Sequence, residues 1–262
     1  MTRESLLTYF DRIGMGAAVL LGLSIPVSTG LDSVLTAAVL LFWILGLRYR
    51  EKAGNLRQNP VVLGCFIVLC AYLAGIFYSS APVGDIGSSL SDARIFLLIP
   101  LLMTFFSMPG AQKWGLNLFT ATMAGILVLS YLLWLGLLPE HSIIKGDAGN
   151  PVIFKLHITH NFIMAFGSFL FASIAWNASS IGKKIIFSTL MLLALFNVLF
   201  MVQGKTGYVV LSALMFFFSF QTARWRGLVT IMILTILIGG ITYVHKDNHP
   251  VSYTHLTLPT KR

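Results

Sequence analysis

Charged side chains are what this chain has least of: 10% of its 262 residues are Asp, Glu, Lys or Arg, and the acidic ones number nine. A soluble domain carries about a quarter charged residues, so this composition cannot build a water-facing surface. Cysteine is almost absent. Cys65 and Cys70 lie in one apolar stretch, without CxxC spacing or partnering histidines, which excludes a disulfide framework and reads them as packed or lipid-embedded thiols. Also missing are GxSxG, HExxH and paired carboxylates within the apolar runs, which removes the commonest hydrolase and protease chemistries.

What is present is apolar. Hydrophobic residues make up 56% of the chain, and the mean hydropathy is +0.84. Runs of roughly 17 to 25 such residues, each long enough to cross a hydrocarbon core about 30 Å thick, recur between short polar breaks. The expected fold is an all-α, polytopic transmembrane helical bundle. Its nine spans fall near 14–30, 31–47, 60–79, 93–107, 116–138, 157–177, 185–202, 207–221 and 227–244. The first two meet almost without a loop near Gly30 and should form a tight helical hairpin, with Pro26 kinking the first because it lacks a backbone donor. Arg3 and Arg12 precede the first run as in a signal peptide. A small-residue cleavage pattern is lacking and further spans follow at once, so the first helix is expected to stay uncleaved.

The formal charge of +9 does not point to nucleic acid, because the basic residues cluster between spans rather than along one face. With a cytoplasmic N-terminus, eleven fall inside: Arg3, Arg12, Arg48, Arg50, Lys52, Arg57, Lys113, Lys183, Lys184, Arg224 and Arg226. Five fall outside: Arg94, Lys145, Lys155, Lys205 and Lys246. That asymmetry predicts an N-in, C-out topology. Arg94, Lys155 and Lys205 run against it, at or near span ends, and an ionised group there must snorkel, pair or face water.

Three polar islands can carry chemistry. Arg94, in Ser91-Asp-Ala-Arg-Ile-Phe-Leu-Leu-Ile-Pro100 at the expected start of the fourth span, has a guanidinium that can fork onto phosphate oxygens; the alternatives are a salt bridge to Asp92 or Asp85, or simple snorkelling. Lys205, in Val202-Gln-Gly-Lys-Thr-Gly-Tyr208, offers a compact positive charge between glycines that let backbone approach a ligand, or else is a tight turn with a snorkelling lysine. Its GKT is no Walker A motif, since Leu199 stands where the upstream glycine belongs. His157 and His160, in Phe154-Lys-Leu-His-Ile-Thr-His-Asn-Phe162, lie on one helical face at i, i+3 spacing. Without an acidic third ligand a metal site is not expected there, and hydrogen bonding by His157, His160 and Asn161 is the favoured role. The loop 139–155 either covers a site or merely connects helices. The Phe-rich run from Met215 to Phe220 reads as lipid-facing or packing surface rather than a stacking platform.

The islands Asp92-Ala-Arg-Ile-Phe-Leu-Leu-Ile-Pro100, His157-Ile-Thr-His-Asn-Phe-Ile-Met-Ala-Phe166 and Asn197-Val-Leu-Phe-Met-Val-Gln-Gly-Lys-Thr-Gly-Tyr208, in this order, resemble the O-antigen ligase family of bacterial inner-membrane proteins. The resemblance runs from about the first span to the ninth. It implies a GT-C-like glycosyltransferase that moves a glycan from undecaprenyl diphosphate to lipid A-core on the periplasmic side, without a metal or other cofactor. Arg94, Lys205, His157, His160 and Asn161 would then bind substrate. The family usually carries an arginine in the third island; Lys205 keeps the charge and loses the bidentate geometry. The resemblance also places the catalytic histidine in a large periplasmic loop after these helices, and His245 and His249 stand at its threshold.

The last twelve residues, Val251 to Arg262, resemble the translation of a sequencing adapter. They are therefore expected to be non-native, with a membrane domain over 1–250, a natural chain continuing beyond Pro250 and an inactive fragment here. An O-antigen polymerase would use the same donor, and nothing in the sequence separates the two. A flippase or transporter should show internal repeats and midplane polar groups, and no convincing repeat is present. A structural membrane subunit would tolerate neutral residues at 94 and 205.

Overall fold

The computed structural model describes residues 2–57, 59–80, 82–138, 144–204 and 206–220. The expected ninth span, the histidines at its end and the tail from Val251 lie outside the described residues. The helices are α1 (Arg3–Val27), α2 (Thr29–Leu45), α3 (Tyr49–Arg57), α4 (Pro60–Tyr78), α5 (Val83–Ala93), α6 (Ile95–Phe106), α7 (Ala111–Trp134), α8 (His157–Asn177) and α9 (Ile181–Phe196). A π-helical turn over Asn197–Met201 follows, then α10 (Thr206–Phe220). Six helical stretches among the described residues are long and apolar enough to cross a membrane, and α2 and α10 are shorter apolar helices. The chain is thus helical throughout its described elements, with the make-up of a multi-pass membrane protein.

Two helices were not among the expected spans. α3 is polar, and α5 is amphipathic, with Val83, Ile86, Leu90 and Ala93 at helical spacing among Asp85, Asp92 and five serine or glycine positions. A search for long apolar runs passes over both. α6 (Ile95–Phe106) coincides with the expected fourth span, and Arg94 stands at its N-terminal end, where α5 gives way to α6 within the apolar stretch Gly84–Phe106.

Contacts divide the chain into two compact units, Met1–His160 and Asn161–Arg262. In the first, α1 and α2 form the expected hairpin, joined by Ser28 alone. Ser28 ends one helix and starts the next: its N–H donates to the Ser24 carbonyl at 2.8 Å, and its Oγ accepts from Leu31 N at 3.3 Å. One extended residue is enough because both helix ends are capped by the same side chain and backbone. Pro26, in the last turn of α1, is buried.

Small residues set the packing. Gly14, Ala17, Ala18 and Leu21 make one buried stripe on α1, at the i, i+3, i+4, i+7 spacing of a single helical face. The Phe105 ring of α6 fills the space that a side chain at Gly14 would need. Ala17, Ala18, Leu21, Val39 and Phe105 form one core cluster. Lipid tails are as apolar as these side chains, so close backbone approach rather than hydrophobic burial holds such helices together. α4 shows the opposite face of the same rule: Phe66, Ile67, Phe77 and Tyr78 are exposed, as suits a helix against lipid. Cys65 and Cys70 are both free thiols, the first buried and the second exposed.

Beyond α2 the backbone turns through Leu47 and Arg48, both with positive φ (50° and 47°). Non-glycine residues rarely adopt this conformation, and the turn is clamped from two sides. Arg48 reaches Glu4 at 2.6 Å, and Lys52 pairs with Asp11 at 2.9 Å, with side chains only 11% and 12% exposed. Lys52 also donates to the Trp43 carbonyl at 3.1 Å and lies over the Trp43 ring.

Removing one member of a nearly buried ion pair strands the other charge, which costs about 3–5 kcal/mol. Lys52→Ala should therefore lower the thermal midpoint in detergent more than the double variant Asp11→Ala/Lys52→Ala does. Gly46→Ala should also destabilise, because its Cβ would fall against the Asp11 carboxylate and 2.8 Å from Lys52 Nζ. Thermal unfolding of the purified variants, followed by tryptophan fluorescence, checks both.

Candidate functional site

In the first unit the approach to α8 is built by a folded loop. Lys145 N donates to the Ile153 carbonyl at 2.8 Å. Asp147 Oδ1 accepts from Gly149 N at 2.7 Å and Asn150 N at 3.0 Å, the short-range pattern by which Asp closes a turn on its own backbone. Pro151, Val152 and Ile153 are buried, and Ser130 of α7 donates to the Pro151 carbonyl at 2.6 Å. The long polar loop of the sequence is therefore a docked element over the residues described, 144 to 156.

Lys155 follows at once. Its side chain is 10% exposed, and its ammonium lies 3.5 Å from Asp32 Oδ2. The other Asp32 oxygen accepts from Ser24 Oγ at 2.6 Å, and Ser24 is wholly buried. This pairing accounts for one of the three cations that opposed the topology bias. Asp32 was not a sequence-level candidate: in the first turn of α2 it reads as a carboxylate favoured by the helix dipole, and no spacing rule points to a partner so far along the chain.

Of the predicted site residues, His157 opens α8 and is exposed, whereas His160 is 5% exposed. The i, i+3 pair therefore straddles the edge of a buried face rather than presenting two open imidazoles. Arg94 is exposed. Among the described residues its guanidinium makes no ion pair, Asp85 included, and it makes no hydrogen bond to either histidine; the Asp92 side chain lies outside the described residues.

The second unit holds the third island. Asn161 is fully buried, and its Nδ2 donates to the Gly204 carbonyl at 3.4 Å. Gly204 has φ 144°, open to glycine and to few other residues. Gly207 packs so closely that a Cβ there would lie 2.8 Å from Val198 Cγ1 and 3.0 Å from Asn161 Cβ. Tyr208 donates its hydroxyl proton to the Leu199 carbonyl, within the π-helical turn, at 3.0 Å. Such turns interrupt the helical ladder and gather at functional sites. Here Val202 N closes back on the Asn197 carbonyl at 3.1 Å. Asn161 of the second motif and Gly204 of the third are thus joined directly. Lys205 itself lies outside the described residues, between Gly204 and Thr206.

The Phe-rich run divides between two roles. Phe216, Phe217 and Phe220 are exposed, while Phe217 and Phe218 also meet the Phe169 ring and Phe218 meets Trp176. Among the described residues no three His, Cys, Asp or Glu side chains converge. No protein-family model, curated protein or solved structure matches this chain, so the functional reading rests on its own residues.

Gly207→Ala should destabilise by about 1–3 kcal/mol, the usual cost of an extra methyl in a filled space. Tyr208→Phe should cost about 1 kcal/mol, that of one neutral hydrogen bond. Thermal unfolding in detergent, read alongside hydrogen exchange over 197–208, tests whether both losses localise to the island.

Proposed function

We propose that this chain is an O-antigen ligase-like glycosyltransferase of the bacterial inner membrane. In this reading it is a GT-C-like bundle of about nine spans with a cytoplasmic N-terminus, and it transfers a glycan from undecaprenyl diphosphate to lipid A-core on the periplasmic side. The observation that carries the reading is the join between Asn161 and Gly204, which links two of the three motifs behind the family resemblance and fixes the backbone next to Lys205. An exposed Arg94 without an ion-pair partner among the described residues supports it as well.

The chemistry asks for what these residues supply. The acceptor hydroxyl oxygen forms a bond to the anomeric carbon. The bond from that carbon to the phosphate oxygen breaks, and the diphosphate leaves with the bonding pair and a growing negative charge. Arg94 and Lys205 are each a cation of the kind that neutralises such a charge, an effect that is stronger out of bulk water. His157, His160 and Asn161 are each able to hydrogen-bond a glycan, His157 from the exposed start of α8. A base takes the acceptor proton. In the family resembled, that base is a histidine in a periplasmic loop after these helices.

In the protein as its source gene encodes it, Arg94→Ala and Lys205→Ala should each lower glycan transfer by about 100-fold or more, the usual loss when one charge-stabilising group is removed. Lys205→Arg should retain most of the activity. The assay is transfer of radiolabelled glycan from undecaprenyl diphosphate to lipid A-core by purified protein in detergent. Normal transfer by both alanine variants would sink the diphosphate role. Passage of the labelled donor across vesicles without transfer would point to a flippase instead, and transfer only to a second carrier-linked glycan to a polymerase.

A further inference from the structure

We propose that Asp32 and Lys155 form a latch that positions the start of α8, and with it His157, for binding the glycan. The functional half of this inference rests on the ligase reading above; the latch itself does not. Three elements of the first unit meet at one carboxylate. Ser24 of α1 donates to Asp32 Oδ1 at 2.6 Å, and Lys155, from the segment leading into α8, lies 3.5 Å from Asp32 Oδ2.

The Lys155 side chain is 10% exposed, and an unpaired ammonium out of water is strongly disfavoured. The pair therefore fixes Lys155 beside the hairpin end at Ser28. Only Leu156 separates Lys155 from His157, and the first turn of α8 is closed by His160 N donating to the Leu156 carbonyl at 2.9 Å. The exposed imidazole thus inherits its position from a buried ion pair two residues before it. The earlier part of the loop is held by independent means, the turn closed by Asp147 and the Ser130 bond to Pro151, which leaves Val152 to Leu156 dependent on the pair and on one backbone bond from Lys145 N to the Ile153 carbonyl. Breaking the pair should accordingly loosen the loop's last residues without unfolding the helices. Lys155 and Asp32 act through His157 and are positioning residues.

The test uses the full chain in detergent, with Cys65→Ala and Cys70→Ala removing the native thiols and Ile153→Cys as a reporter, because Ile153 is 1% exposed. With the latch intact a maleimide should react slowly with that thiol. Lys155→Met and Asp32→Asn should each raise the rate about tenfold or more as local opening becomes easier, and the exchanged pair Asp32→Lys/Lys155→Asp should restore protection. Unchanged protection in both single variants would overturn the latch, whatever the activity does. In the transfer assay, with the reporter reverted, the single variants should raise the KM for the carrier-linked glycan about tenfold while kcat stays within about twofold, the pattern of lost substrate binding. The exchanged pair should recover the KM. Faster labelling with an unchanged KM would overturn the positioning role. No transfer by the unsubstituted protein as its source gene encodes it would refute the ligase reading, and the labelling would still decide the latch.

Discussion

A charge taken out of water has to be answered by an opposite one, and in the first unit that requirement is met at both ends of the α1–α2 hairpin. Asp11 and Lys52 pair at the end that carries the N-terminus. Asp32 and Lys155 pair at the end closed by Ser28. Between them the hairpin buries little that is polar, and the two pairs fix which later segments can lie against it: α3 at one end, the approach to α8 at the other. Pairs of this kind contribute less to net stability than to specificity, since their desolvation offsets much of their attraction. Their effect is to forbid other arrangements, because any other arrangement strands a charge.

Within that frame the packing is set by what is absent from side chains. Gly14 and Gly22 on α1 let the Phe105 ring and the backbone of Gly115 come close. A bilayer offers no hydrophobic gain for helix association, so such contacts, summed over many atoms, are what hold the bundle. The left-handed turn at Leu47 and Arg48 shows the same economy. It is strained locally and is held because the ion pairs beside it leave the chain no other path.

The second unit solves a different problem, that of placing irregular backbone among apolar helices. The stretch 197–204 departs from the regular ladder, and carbonyls freed by that departure must be satisfied by protein. Asn161 and Tyr208 do so, at Gly204 and Leu199 respectively. This gives a physical reason for the company these residues keep: a polar island in a membrane helix bundle requires a buried amide and a hydroxyl nearby, and glycine where their bulk leaves no room for a Cβ.

The sequence by itself determined the element types and much of their placement, because a 3.6-residue apolar helix long enough to cross a bilayer announces itself in composition alone. The hairpin around Gly30, the starts of α4 and α8 and the free thiols were all legible in that way. α3 and α5 were not, since a polar or amphipathic helix leaves no long apolar run. Arg94 kept its expected place at the start of α6, and what the sequence did not announce was the amphipathic helix before it. The sequence also marked Lys155 as a charge that topology did not explain. Only the tertiary structure supplied its partner, Asp32, and the join of Asn161 to Gly204. Ion pairing and carbonyl satisfaction are met in space, between residues whose separation along the chain carries no periodic signal.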